Sequence, residues 1–234
     1  MKNALEGNRW LLWLGLQRQT VDARERARDV LGAMLGLWVA GALTWWGWGA
    51  TSPWLAATMG ASAVLLFAVP SSPLAQPWPV MVGNVMSALV GVAVFQAMGP
   101  TPAAAALAAG LALALMFPLR CVHPPGGAVA ITAVLGQAAV HDLGFGFALV
   151  PVAVNSALLL VVALAWRRLT RPAPVHAPVV HGSRHSTADP APQDRVGLTT
   201  ADLDAALRDF NQLVDIDRDA LETLLRQAQM QAWQ

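Results

Sequence analysis

Long apolar stretches dominate the chain from about residue 30 to residue 166, and short turn-forming stretches, mostly marked by proline, separate them. The pattern predicts six helical segments at about residues 30–48, 54–70, 80–98, 102–117, 125–140 and 145–166. At 1.5 Å per residue, a segment of about sixteen residues reaches about 24 Å, which is less than the roughly 30 Å hydrocarbon core of a bilayer. We therefore expect some of these helices to be tilted, broken or re-entrant.

Composition places this pattern in a membrane. Of the 234 residues, 56% are hydrophobic and 12% are charged, against roughly 45–50% and about 25% in an ordinary soluble domain. Between Val30 and Trp166 the charged residues are Arg120 and Asp142. The single Cys121 excludes an intramolecular disulfide and a CxxC site. Because no basic stripe occurs outside the membrane flanks, we expect no nucleic-acid partner.

The arginines predict the topology. One cluster precedes the first segment and another follows the sixth, so both termini should be cytoplasmic, which requires an even number of crossings. Six crossings also place Arg120 on the cytoplasmic side. Four crossings, with segments two and five re-entrant, would place Arg120 outside. We expect a multi-pass protein of a cell membrane, a bacterial inner membrane, in contact with the lipid bilayer.

A weak internal repeat is present. Pro53 and Pro124 are 71 residues apart, as are Asn84 and Asn155. Since each unit would contain three crossings, the second copy would be inverted in the bilayer, as in many transporters. The alternative is chance, because apolar sequences rich in alanine, valine and leucine resemble one another easily.

These observations predict an all-α, polytopic transmembrane helical bundle of two inverted three-segment repeats with short or broken helices, followed by a cytosolic helical tail. The expected domains are an interfacial N-terminal segment (1–28), a transmembrane domain (29–168), a flexible linker (169–197) and an amphipathic helical tail (198–234). The spacing of the linker histidines and of the acidic residues near 215–219 does not favour a metal site. We assign no metal and no cofactor.

The strongest local feature is the stretch Arg120-Cys121-Val122-His123-Pro124-Pro125-Gly126-Gly127-Ala128. Two prolines at the start of segment five would leave unpaired the N–H groups of the next three residues, Gly126, Gly127 and Ala128. The positive end of the helix dipole would then favour an anion. Arg120 and His123 would add positive potential, and His123 could couple transport to a proton. In the alternative, proline and glycine only shape a tight turn.

Two amides lie inside predicted membrane segments. Asn84 and Asn155 must find hydrogen-bond partners there, and at matching positions they could line one polar path. Packing between helices is the alternative. Ser62 is a further candidate for hydrogen bonding. The candidate substrate-binding set is Arg120, His123, Pro124, Pro125, Gly126, Gly127, Asn84, Asn155 and Ser62.

The block His123-Pro124-Pro125-Gly126-Gly127-Ala128 resembles the signature of the HPP family of integral membrane proteins. The similarity continues through residues 60–67 and 72–79 to Gly83-Asn84 and reaches Asn155. The resemblance implies a transporter, with nitrite movement in plastid and cyanobacterial relatives. Relatives are usually described with four spanning helices, and some carry a nucleotide-sensing CBS module for which this tail is too short.

We therefore expect a transporter or channel for a small inorganic anion, such as nitrite or nitrate. The alternative is a membrane anchor or sensor whose tail recruits a partner. A homo-oligomer formed through the membrane domain or the tail is also expected. An enzyme is not expected, because the membrane segments contain no Ser/His/Asp set, HExxH motif or paired carboxylates.

Overall fold

The computed structural model describes residues 23–48, 58–170, 221 and 223–225. Within these ranges every regular element is helical and no strand occurs, which confirms the all-α class. In the tail, the described residues 221 and 223–225 are helical, and the amphipathic helical tail stays a prediction. The linker histidines and the rest of the tail lie outside the described residues.

The described bundle contains long and short apolar helices. The α-helices are α1 (Ala23–Trp48), α2 (Thr58–Ala68), α3 (Asn84–Met98), α4 (Pro102–Met116), α5 (Pro124–Leu135), α6 (Ala138–His141) and α7 (Val154–Thr170). A 3₁₀ turn covers Pro73–Ala75, and π-helical turns at Pro79–Gly83 and Ala148–Ala153 lead into α3 and α7. Three helical stretches, Ala23–Gly47, Pro79–Met98 and Ala148–Thr170, are long and apolar enough to cross a membrane. Shorter apolar helices are α2, α4 and α5.

One predicted boundary differs from the structure. The predicted segment 125–140 is wrong in its last part, because α5 ends at Leu135 and α6 follows as a separate short helix. Gly136 (φ −64°, ψ 171°) and Gln137 (φ −71°, ψ 167°) have extended backbone, which breaks the helix. Helix α1 is described from Ala23 and includes residues 28 and 29, and the predicted domain bounds stay a prediction.

The two π-helical turns each contain a proline, Pro79 in the first and Pro151 in the second. In the second turn Val150 is extended (φ −128°, ψ 117°), which bends the chain before α7. Each turn lies just before one of the two asparagines, Asn84 and Asn155. This common feature fits the predicted repeat, whose inverted arrangement stays a prediction.

Helices α1 and α7 run antiparallel. Near one end of the bundle, Trp166 Nε1 donates to the Arg28 carbonyl oxygen at 3.2 Å. Toward the other end, Thr44 Oγ1 donates to Asn155 Oδ1 at 3.4 Å. The start of α1 and the end of α7 therefore lie at the same end of the bundle.

The helix that contains α3 also runs antiparallel to α7. Val80, at its start, packs in one cluster with Leu159 and Leu160, whereas Asn84, one turn later, bonds to Ser156. Two helices that are each antiparallel to α7 are parallel to each other. The chain must therefore return between α1 and α3, and α2 lies on that return path.

The same reasoning applies to the second half of the chain. Trp78 Nε1, beside the start of the π-helical turn, donates to the Leu119 carbonyl oxygen at 3.0 Å, just after α4. Helix α4 is thus antiparallel to α3 and parallel to α7. Helix α5 lies on the return path between them, which is the order that six segments require, although the number of crossings stays a prediction.

We expect cysteine labelling to separate six crossings from four. In a Cys121→Ser background, Pro100→Cys and Asp142→Cys should react with an impermeant reagent from outside, and Pro118→Cys should react only from the cytoplasm. All three positions are exposed. In the four-crossing alternative the labelling of Pro100→Cys and Pro118→Cys is exchanged. That exchange would overturn the six-crossing prediction.

Candidate functional site

His123 lies at the N-cap of α5 and is fully buried, with 0% of its surface exposed. Its Nδ1 is 2.9 Å from the carbonyl oxygen of Leu74, in the 3₁₀ turn. Its Nε2 is 2.9 Å from Ser62 Oγ, on α2. The imidazole thus joins the start of α5 to two other elements.

The hydrogen bonds continue from Ser62 into the two long helices. Asn84 Nδ2, at the start of α3, donates to Ser62 Oγ at 3.4 Å and to Ser156 Oγ, on α7, at 3.1 Å. The Ser156 hydroxyl in turn donates to the sulfur of Met59 at 3.9 Å. Ser62, Asn84 and Ser156 are all 0% exposed. The structure therefore contains a buried polar chain, Leu74–His123–Ser62–Asn84–Ser156, inside an apolar bundle.

The donors and acceptors of this polar chain have a fixed direction. A carbonyl oxygen can only accept, so His123 Nδ1 carries a hydrogen, and Nε2 of the neutral ring accepts from the Ser62 hydroxyl. Ser62 Oγ accepts in turn from Asn84 Nδ2. One group remains over, because Asn84 Oδ1 is buried and has no hydrogen-bond partner among the described residues. A buried unpaired acceptor is costly and often marks a functional site.

Small residues allow His123 to reach this position. A Cβ added at Gly83 would lie 2.7 Å from the Cys121 carbonyl oxygen and 2.8 Å from His123 Cβ. A Cβ at Gly126 would lie 2.7 Å from Ser87 Oγ. Since real Cβ atoms do not approach so closely, glycine is required at both positions. We name the contact of α3 and its π-helical turn with α5 the glycine seam.

The glycine seam extends along α3. A Cβ at Gly91 would lie 2.6 Å from the Ala130 carbonyl oxygen and 2.7 Å from Ala133 Cβ. Gly83, Ser87 and Gly91 are spaced at every fourth residue, which is the small-xxx-small pattern of close helix packing in membranes. This spacing is readable in the sequence, but it is not among the features predicted above.

The predicted site residues separate into a buried group and an accessible group. His123, Ser62 and Asn84 lie together in the buried polar chain, with Pro125 and Gly126 also buried beside them. The exposed residues are Pro124 and Arg120. Gly127 is half-buried, and no atom lies within 4 Å of a Cβ added there.

Asn155 does not bond to Asn84. It accepts from Thr44 Oγ1, between α1 and α7, and so belongs to a separate polar contact. The prediction of an unpaired N–H at Gly126 is wrong, because that group donates to the His123 carbonyl oxygen at 2.8 Å in the first turn of α5. The close packing of Gly126 shows that this glycine serves the glycine seam.

Arg120 has a left-handed backbone (φ 52°) in the α4–α5 connection, and it is exposed. The 3₁₀ turn, α2, α3 and α5 contain no charged residue. These four elements therefore place no charged side chain beside the buried polar chain. Among the described residues, no group of three or more metal-ligating side chains comes together.

Comparisons with known proteins agree with this architecture. The sequence profile of the HPP transmembrane region matches residues 18–174, which is more than half of the chain. Two transmembrane proteins of Dictyostelium discoideum are 40% and 39% identical to the chain over 121 residues, or 50% of its length. The chain spans 39% and 42% of the length of these relatives. No solved structure matches the chain.

Proposed function

Because this chain belongs to the HPP transmembrane family and is an integral membrane protein, we propose that it transports a small inorganic anion, as a carrier or a channel. Nitrite and nitrate are the first candidates. The observation that carries the proposal is the buried polar chain of His123, Ser62 and Asn84. Polar groups deep in a membrane domain are costly, and they typically mark the path of a substrate or ion.

The accessible end of α5 suits the entry of an anion. The positive end of the helix dipole lies at Pro124, which is exposed, and Gly127 leaves open space beside the backbone. Arg120, also exposed, adds a positive charge to the same connection. A helix N-terminus with a nearby cation attracts anions, and the attraction is screened by salt. In this proposal the anion enters here and passes to the buried polar chain below.

Uptake by proteoliposomes that contain the purified full chain tests this proposal. We expect nitrite or nitrate to enter faster than chloride or sulfate, and faster than into vesicles without protein. No uptake of any of the four anions would contradict the proposal and favour the membrane-anchor alternative.

The charge of Arg120 provides a second test. Arg120→Gln should slow the uptake of the preferred anion about threefold at low salt, and the difference should fade at high salt, since one exposed charge acts through screened steering. Arg168→Gln is the matched control, because Arg168 is also exposed but lies near the end of α7. An equal loss in both variants would show that the position of Arg120 has no special role.

A further inference from the structure

The direction of the buried polar chain depends on one proton. With a neutral His123, the two hydrogen bonds that link Asn84 to the imidazole both point toward the imidazole: Asn84 Nδ2 donates to Ser62 Oγ, and the Ser62 hydroxyl donates to His123 Nε2. The remaining Nδ1–H donates to the Leu74 carbonyl oxygen. The group that is left over is an acceptor, Asn84 Oδ1. A hydrogen-bond acceptor repels an anion, so the buried polar chain is unsuited to bind an anion while His123 is neutral.

A second proton on His123 reverses the direction of the hydrogen bonds in the buried polar chain. Both ring nitrogens are then donors, so Nε2–H donates to Ser62 Oγ, and the Ser62 hydroxyl must find a new acceptor. The amide of Asn84 already contacts Ser62, and its Oδ1 has acceptor capacity to spare. A half-turn of the amide brings Oδ1 to the two serine hydroxyls, Ser62 and Ser156.

The same half-turn of the amide changes which group of Asn84 is left without a hydrogen-bond partner. The Asn84 NH₂ group moves to the position that Oδ1 now holds, and the group left over becomes a donor of two hydrogen bonds. Donors next to a new positive charge bind an anion. Protonation thus converts the centre of the polar chain from an anion-repelling group to an anion-binding group.

Charge and burial couple the protonation of His123 to the binding of the anion. A lone imidazolium at a fully buried position is disfavoured, and so is a lone anion, but together they neutralise each other. By linkage, the anion strengthens proton binding by the same factor as the proton strengthens anion binding. The titratable neighbours on the segment of His123 are the buried Cys121 and the exposed Arg120. The charged groups of α7 near its end are Arg167 and Arg168, far along the helix from Ser156.

On the basis of the proposed function, we infer that His123, Ser62 and Asn84 form the coupling-proton site of the transporter. One proton binds at His123 Nε2 with each anion and leaves with it, so that transport is an electroneutral symport of an anion and a proton. The structure places the three residues in one hydrogen-bonded series, with the spare acceptor at its end.

The test uses proteoliposomes that contain the full chain, a pH dye in the lumen, and potassium with valinomycin to hold the membrane potential at zero. The probe is nitrate, with nitrite in parallel. External nitrate should acidify the lumen, because each anion enters with one proton. An outside-acid gradient of one pH unit should drive about tenfold nitrate accumulation, because one-to-one coupling converts the proton gradient into a nitrate gradient of the same size. Uptake without acidification overturns the coupling site and leaves the proposed function standing. No uptake of nitrate, nitrite, chloride or sulfate overturns both.

Two serine variants locate the site. Ser62→Ala removes the hydroxyl that links His123 to Asn84 in the buried polar chain. It should therefore abolish both the acidification of the lumen and the accumulation of nitrate. Ser87→Ala should leave both unchanged, since this buried serine donates only to its own helix, at the Gly83 carbonyl oxygen. Equal accumulation by Ser62→Ala and the wild type would overturn the inference.

A measurement on the wild-type chain reports the protonation of His123 directly. In ¹⁵N NMR of the histidine-labelled protein, His123 should be the neutral Nδ1–H tautomer without nitrate. Its signal, identified by its loss in His123→Gln, should move to the imidazolium position when nitrate is added at the same pH. A signal that stays neutral at saturating nitrate would overturn the inference.

Discussion

Replacing Gly83 by alanine should destabilise the protein strongly, although alanine is a better helix former than glycine. The added Cβ would meet the Cys121 carbonyl oxygen and His123 Cβ below 3 Å, and a backbone oxygen cannot rotate away. Overpacking of this kind costs about 1–3 kcal/mol. For a chain of this size we expect the thermal midpoint in detergent to fall by about 5 °C. The shift of His123 away from Ser62 should also slow anion uptake.

Gly127→Ala is the matched control, because it makes the same chemical change in the first turn of the neighbouring helix, where no atom lies within 4 Å of the new Cβ. Alanine is up to about 1 kcal/mol more favourable than glycine in a helix, so the thermal midpoint should stay or rise. Equal midpoints for Gly83→Ala and Gly127→Ala would show that the glycine seam does not position the start of α5.

The helical membrane fold could be predicted because it depends on patterns that are local in the sequence. Continuous apolar stretches and proline breaks placed the helices closely, as at Pro102 and Met98. The break after Leu135 was missed, because Gly136 is compatible with a helix as well as with a turn. In the structure Gly136 is extended, and a Cβ there would lie 2.5 Å from the Thr132 carbonyl oxygen and 3.0 Å from Val140 Cβ, so this connection requires glycine.

The candidate site was predictable in its residues but not in its bonds. His123, Ser62 and Asn84 stood out as polar groups in apolar surroundings. The sequence could not show that Leu74 presents its carbonyl oxygen to the imidazole, because that contact depends on how a 3₁₀ turn packs against a distant helix. For the same reason it could not separate Asn155, which pairs with Thr44, from the polar chain.

The second large effect is expected at His123. His123→Ala removes both hydrogen bonds of a fully buried ring and leaves the Leu74 carbonyl oxygen and the Ser62 hydroxyl without their partner. Each unpaired buried group costs about 1–3 kcal/mol, and the cavity left by the ring adds to this. If even the smaller part of this loss falls on the anion-bound state, uptake decreases about tenfold or more.

His141→Ala is the control for the loss of an imidazole. His141 also bonds a backbone carbonyl through Nε2, at Val134 and 3.2 Å, and it stacks on Phe95 with ring centroids 3.7 Å apart. It lies after α5, at the end of the helix opposite to His123, and outside the buried polar chain. We expect its removal to lower the thermal midpoint but to leave the uptake rate per folded protein close to that of the wild type.

The initial rate of nitrate and nitrite uptake into proteoliposomes, compared among the wild type, His123→Ala and His141→Ala at equal amounts of folded protein, tests whether anions pass through the buried polar chain. We expect uptake by the wild type and by His141→Ala, and a rate at least about tenfold lower for His123→Ala. Uptake by His123→Ala at the wild-type rate would contradict the claim that anions pass through the buried polar chain.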